Sequence, residues 1–133
     1  MDTKGMREIL FRGKRIDNGE WVEGYFVNLW LVHYQKHQPI ITDNNAVSYN
    51  VDPSTVGQYT GLTDKNGKKI FEWDIMAFTA YGFDYVGTVE FADGSFSIMC
   101  EHTSPFLDQA VSKHGAYIIG NMHDNPELLK GAE

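Results

Sequence analysis

Residues 88–99, "TVEFADGSFSIM", decide the fold class. An Asp-Gly pair between alternating segments signals a two-residue hairpin turn, because both central residues of a type I′ turn take positive φ. With Asp93-Gly94 as the loop, Phe91 falls opposite Phe96 and Val89 opposite Ile98 on one face, with Glu90 opposite Ser97 on the other. That alternation is the signature of an antiparallel pair with one face turned to a core.

Two more hairpin signals lie upstream. In residues 11–26, "FRGKRIDNGEWVEGYF", an Asn18-Gly19 loop sets Ile16 against Trp21, Lys14 against Glu23 and Arg12 against Tyr25. This register puts Gly13 opposite Gly24, a bend of the kind a small barrel needs. In residues 60–72, "TGLTDKNGKKIFE", an Asn66-Gly67 loop opposes Asp64 to Lys69 and Leu62 to Phe71. The same loop opposes Lys65 to Lys68, so a longer loop over residues 64–67 is the alternative. "PIITDNNAVSYNV" reads as two short strands around Asn44-Asn45, and "IMAFTA" and "YVGTVEF" as strands joined near Tyr81-Gly82. Ser104 as N-cap, Pro105 at the first position and Gly115 as a stop predict one helix. "AYIIG" follows as a last strand and "DNPELL" as a helical turn from Asn125. The expectation from these signals is a mainly β fold built from hairpins, with one or two short helices near the C-terminus. It occupies one domain over residues 7–129, with a loose extension at 1–6 and a tail at 130–133.

Composition narrows the function classes. Eighteen acids against eleven bases give a net charge of −7. A nucleic-acid binder needs a basic face, so nucleic acid is not expected as a partner. The single cysteine, Cys100, rules out an internal disulfide and suits a reducing cytoplasm. No stretch approaches eighteen apolar residues, and "MDTKGMREIL" carries no apolar signal core, so neither a membrane span nor secretion is expected. Met6 could equally serve as the start.

At this point the residues resemble a family. "REILFRGKRIDNGEWVEGY", "VDPSTVGQYTGLTDKNGKKIFEWDI", "GTVEFADGSFSI" and "IIGNMHDNPELL" together look like the YopX family, encoded by phages and prophages mostly of low-GC Gram-positive bacteria. Members commonly carry Gly between the two acids where this chain has Trp73, which weighs against a tight backbone turn there. The resemblance implies a mainly β fold with an SH3-like or related small barrel, and a tendency to self-associate. It implies no reaction and no catalytic residues.

The candidates for chemistry are few. Glu72 and Asp74 are the best acid–base pair: if residues 70–75 stay extended, both share a face while Trp73 points away. A small hydrolase could use such a pair; a strand break in which Asp74 accepts backbone N–H bonds is the plainer reading. His33 and His37, four apart, would lie roughly 13 Å apart on one strand, too far to chelate one ion. The run "DKNGKKIFEWD" has its glycine in the wrong place for a calcium loop. No metal and no cofactor is expected. Cys100 reads as a small buried hydrophobe. Charge mimicry toward a host nucleic-acid enzyme rests on net charge alone. The leading expectation is a non-enzymatic homo-oligomer acting by binding or assembly, with a further phage or host protein as a possible partner. Its interface would centre on Trp30 and Tyr34 in the uncharged run "NLWLVHY".

Overall fold

The computed structural model describes residues 8–130. The expected extension at 1–6, and residues 131–133 of the expected tail, lie outside them. The chain is mainly β, with ten strands, two short helices and a 3-10 turn at Pro53–Thr55 among the described residues. It divides into two compact units, one ending at Tyr59 and one beginning at Thr60.

In the first unit, β1 (Phe11–Lys14), β2 (Trp21–Leu31), β3 (Lys36–Thr42) and β4 (Ser48–Asn50) form an antiparallel meander. β5 (Gly57–Thr63) adds its first residues to β1, with Phe11 opposite Gln58. Ile41 and Val51 are fully buried, and Gly13 lies against both: a Cβ there would come within 3.1 Å of Ile41 Cδ1. The expected first hairpin forms in a different register. Lys14 faces Trp21, Arg12 faces Glu23, and Gly24 faces Phe11 rather than Gly13. The reason lies in the loop. Arg15 N–H donates to Glu20 O and Gly19 N–H to Arg15 O, so residues 16–19 form a four-residue loop rather than a two-residue one. Arg15 grips Asp17 through both carboxylate oxygens, and Asn18 Oδ1 accepts from Glu20 N–H. The shift also brings Arg12 and Lys14 over the Trp21 ring, at 4.8 and 5.5 Å.

In the second unit, the later residues of β5 lead into β6 (Lys69–Phe71), while β7 (Asp74–Ala80), β8 (Phe83–Ala92), β9 (Ser95–Met99) and β10 (Tyr117–Asn121) form a four-stranded antiparallel sheet in the order β10-β7-β8-β9. The β8–β9 register is the one read from the sequence, with Val89 opposite Ile98 and Phe91 opposite Phe96. Asp93 and Gly94 both take positive φ, as a type I′ turn requires. Tyr81 and Gly82 do the same between β7 and β8. The helix α1 (Leu107–His114) starts later than its sequence signals predict. Phe106 stands at its N-cap without a side-chain cap, because Phe106 is held as a bridge to Ser97. Gly115, left-handed, ends it as expected. Leu107 and Ala110 pack with Ile70, Met76, Phe78, Val89 and Ile98 in one apolar core. A final helical turn, α2 (Glu127–Lys130), follows Pro126.

The strands make open sheets that are not closed into a barrel. The glycine pairing expected to make a bend does not form: Gly13 lies opposite Val22 and Gly24 opposite Phe11. Gly24 serves a separate close approach: a Cβ there would lie 2.0 Å from Thr42 O.

Candidate functional site

The stretch 58–76 holds most of the polar candidates, and the structure shows what each holds in place. Asp64 is buried in the loop after β5, where Gly67 N–H donates to Asp64 O and Asp64 N–H to Lys68 O. The loop is therefore residues 65–67, longer than the two-residue reading and one residue shorter than the 64–67 alternative. Its carboxylate accepts from Asn66 N–H at 2.9 Å and Lys68 N–H at 3.0 Å through Oδ1, and from Ile118 N–H at 3.0 Å through Oδ2. One side chain therefore shapes a turn and ties it to β10, fifty-four residues away. Burial works to raise the Asp64 pKa, but the N–H groups of Ile118, Lys68 and Asn66 and the charge of Lys68 outweigh it and hold the carboxyl below its usual range. Sequence reasoning assigned Asp64 to the turn and missed the link to Ile118, for which no local pattern exists.

Glu72 and Asp74 do not share one extended strand: Asp74 begins β7, while Glu72 lies in the turn before it. The chain turns at residues 72–73 between β6 and β7, and Trp73 takes φ 74°, the left-handed region. The tight turn at 73 is thus present despite the missing glycine. It survives because both backbone groups of Trp73 are engaged: its N–H donates to Val89 O at 2.8 Å and its C=O accepts from Met122 N–H at 2.9 Å. Asp74 is buried and accepts from Phe71 N–H at 2.8 Å, closing the elbow. Glu72 is half-buried beside it.

The histidines are also separated. His33 sits in the turn after β2, and His37 lies in β3 opposite Trp30, its ring 5.0 Å from the indole. Among the described residues no three His, Cys, Asp or Glu side chains are grouped to hold a metal. No described helix is long and apolar enough to cross a membrane. Cys100 is half-buried after β9, and burial pushes its thiol up to about 11.

The feature with the character of a contact surface is an arm. β2 and β3 pair continuously from Tyr25–Thr42 to Leu31–Lys36, but β1 reaches β2 only as far as Gly24 and β4 reaches β3 only from Ile40 to Thr42. Among the described residues, the arm beyond Val27 is a two-stranded ribbon, roughly 15 Å long at strand rise. Val27 and Leu29 are exposed on one face and Trp30 on the other, with Val32 and Tyr34 at the tip. Trp30 is 49% and Tyr34 74% exposed, and no charged residue occurs between Glu23 and Lys36.

Comparison with known proteins agrees with this architecture. The model of the family described as "YopX protein" matches residues 10–130. The chain belongs to the YopX family. It is similar to the crystal structure of protein EF1440 from Enterococcus faecalis, with 26% identity and a TM-score of 0.57 over 92% of this chain and 98% of that one. No curated protein matches significantly.

Proposed function

We propose that this is a phage- or prophage-type protein of the host-cell cytoplasm that acts by binding and assembly rather than by catalysis, as a homo-oligomer joined through the β2–β3 arm. The arm carries the reading. A two-stranded ribbon alone is marginal in water, and sheet edges that stay exposed are ordinarily blunted by charge, proline or a covering element. This ribbon keeps apolar side chains on both faces and no charge before Lys36. A second copy that covers Trp30 and Tyr34 satisfies both conditions, and large aromatics dominate such interfaces. The alternative, a hydrolase built on Glu72 and Asp74, draws no support from the elbow, where Asp74 is engaged by the Phe71 N–H.

Sedimentation of Trp30→Glu beside the parent protein tests this. The variant should sediment as a smaller species with an unchanged unfolding curve, since half of the indole is already outside the fold. Equal masses for the two proteins would refute the arm as the interface. Collapse of the variant's fold would place Trp30 in the core of one chain.

A further inference from the structure

A second surface lies in the other unit. β9 pairs with β8 only from Thr88 to Ala92, while β7 occupies the opposite edge of β8. Met99 and Cys100 still lie against Gly87, but among the described residues Phe83–Val86 continue past the end of their partner on the β9 side, and alternate backbone N–H and C=O groups of that run face outward. This open edge borders a cleft of ≈ 720 Å³, within the range of small-ligand and peptide sites. Gly87 sets its shape: a Cβ there would lie 2.5 Å from Met99 O and 2.8 Å from Cys100 Sγ, so only glycine lets the chain leaving β9 close the end of the cleft.

The lining is selective. Asp84 and Glu101 stand on the cleft, and its walls include Phe83, Tyr85 and Met99; no lysine or arginine is among the lining residues, and the exposed His102, 3.7 Å from Glu101, is the one imidazole there. Phe83 is 66% exposed, an aromatic face available to a cation. Asp84 is oriented by Thr79, whose hydroxyl donates to Oδ1 at 2.6 Å. The wider field has the same sign: from Thr60 onward the sequence holds eleven acids against five bases, whereas up to Tyr59 it holds seven against six.

We propose that the open edge of β8 receives an extended, basic segment of a partner protein, which adds a short strand along Phe83–Val86 and places a Lys or Arg side chain beside Asp84 and Glu101. Backbone pairing along a sheet edge supplies affinity and the side-chain cleft supplies selectivity. This deepens the binding role proposed above, but uses a surface apart from the arm.

The test uses the full chain with methyl-labelled methionine and three probes: a five-residue peptide alternating Val and Arg, the same peptide with Gln for Arg, and the Arg peptide with N-methylated backbone amides. The Arg peptide should shift the Met99 methyl resonance and bind about tenfold more tightly than either control, a difference of about 1.4 kcal/mol. Asp84→Asn combined with Glu101→Gln should reduce the Arg peptide to the level of the Gln peptide. Equal binding of all three, or binding that leaves Met99 unmoved, would overturn the proposal. Trp30→Glu should leave the titration unchanged, so an arm that fails to assemble the protein and a cleft that fails to bind peptide give different results. If the Arg peptide instead breaks the oligomer apart, the cleft belongs to self-assembly and a separate partner is ruled out.

Discussion

Several aspartates of this acidic chain serve the backbone. Asp43 accepts from Asn45 and Val47 N–H, Asp52 from Ser54, Asp64 from three residues and Asp74 from Phe71. Asp64→Ala removes the acceptor of a distant strand and should destabilise the protein by about 2–3 kcal/mol, measured by urea unfolding. The sign of its pH dependence follows from a depressed carboxyl. Its contribution is complete above the unfolded value near 3.8 and is lost as pH falls through the lower folded value. Asp64→Asn should therefore show a flatter loss of stability below pH 3.8 than the parent. Trp73 poses a separate question, since φ 74° strains any residue with a Cβ. Trp73→Gly and Trp73→Ala both delete the indole, so their difference reports the backbone alone. Trp73→Gly should be the more stable by about 1–2 kcal/mol; equal stabilities would show that the turn relaxes at no cost.

Elements with local signals were legible in the sequence, and those set by distant partners were not. The Asp93-Gly94 register was readable because a type I′ turn admits one pairing and the flanking apolar residues agree with it. The Asn18-Gly19 register was not, because Arg15–Asp17 and the Asn18 side chain stabilise a longer loop in which the dipeptide is only the end. The helix start at Leu107 was hidden by the bridge from Phe106 to Ser97, a tertiary contact. Of the candidate site, the uncharged run 28–34 marked the arm. The open edge of β8 was invisible, since it depends on where β9 stops. The arm makes its own prediction: hydrogen exchange at Asn28–Leu31 should be slower in the parent than in Trp30→Glu at the same concentration. Identical exchange would mean that nothing covers the ribbon.

At the scale of the molecule, net negative charge is concentrated from Thr60 onward, and no sustained basic run occurs to displace counterions from a duplex. A gel shift with duplex DNA at about 150 mM salt should show no micromolar binding; a complex that weakens steeply as salt rises would contradict that. Family membership leaves the biochemical role to be established through surfaces, and the arm is the surface on which the account depends. The direct measurement is the mass of the native protein by light scattering on a size-exclusion column, at roughly tens of micromolar, where interfaces of standard size persist. The account predicts a mass of two or more times the 15.1 kDa of one chain. A single species at 15.1 kDa throughout that range would contradict it.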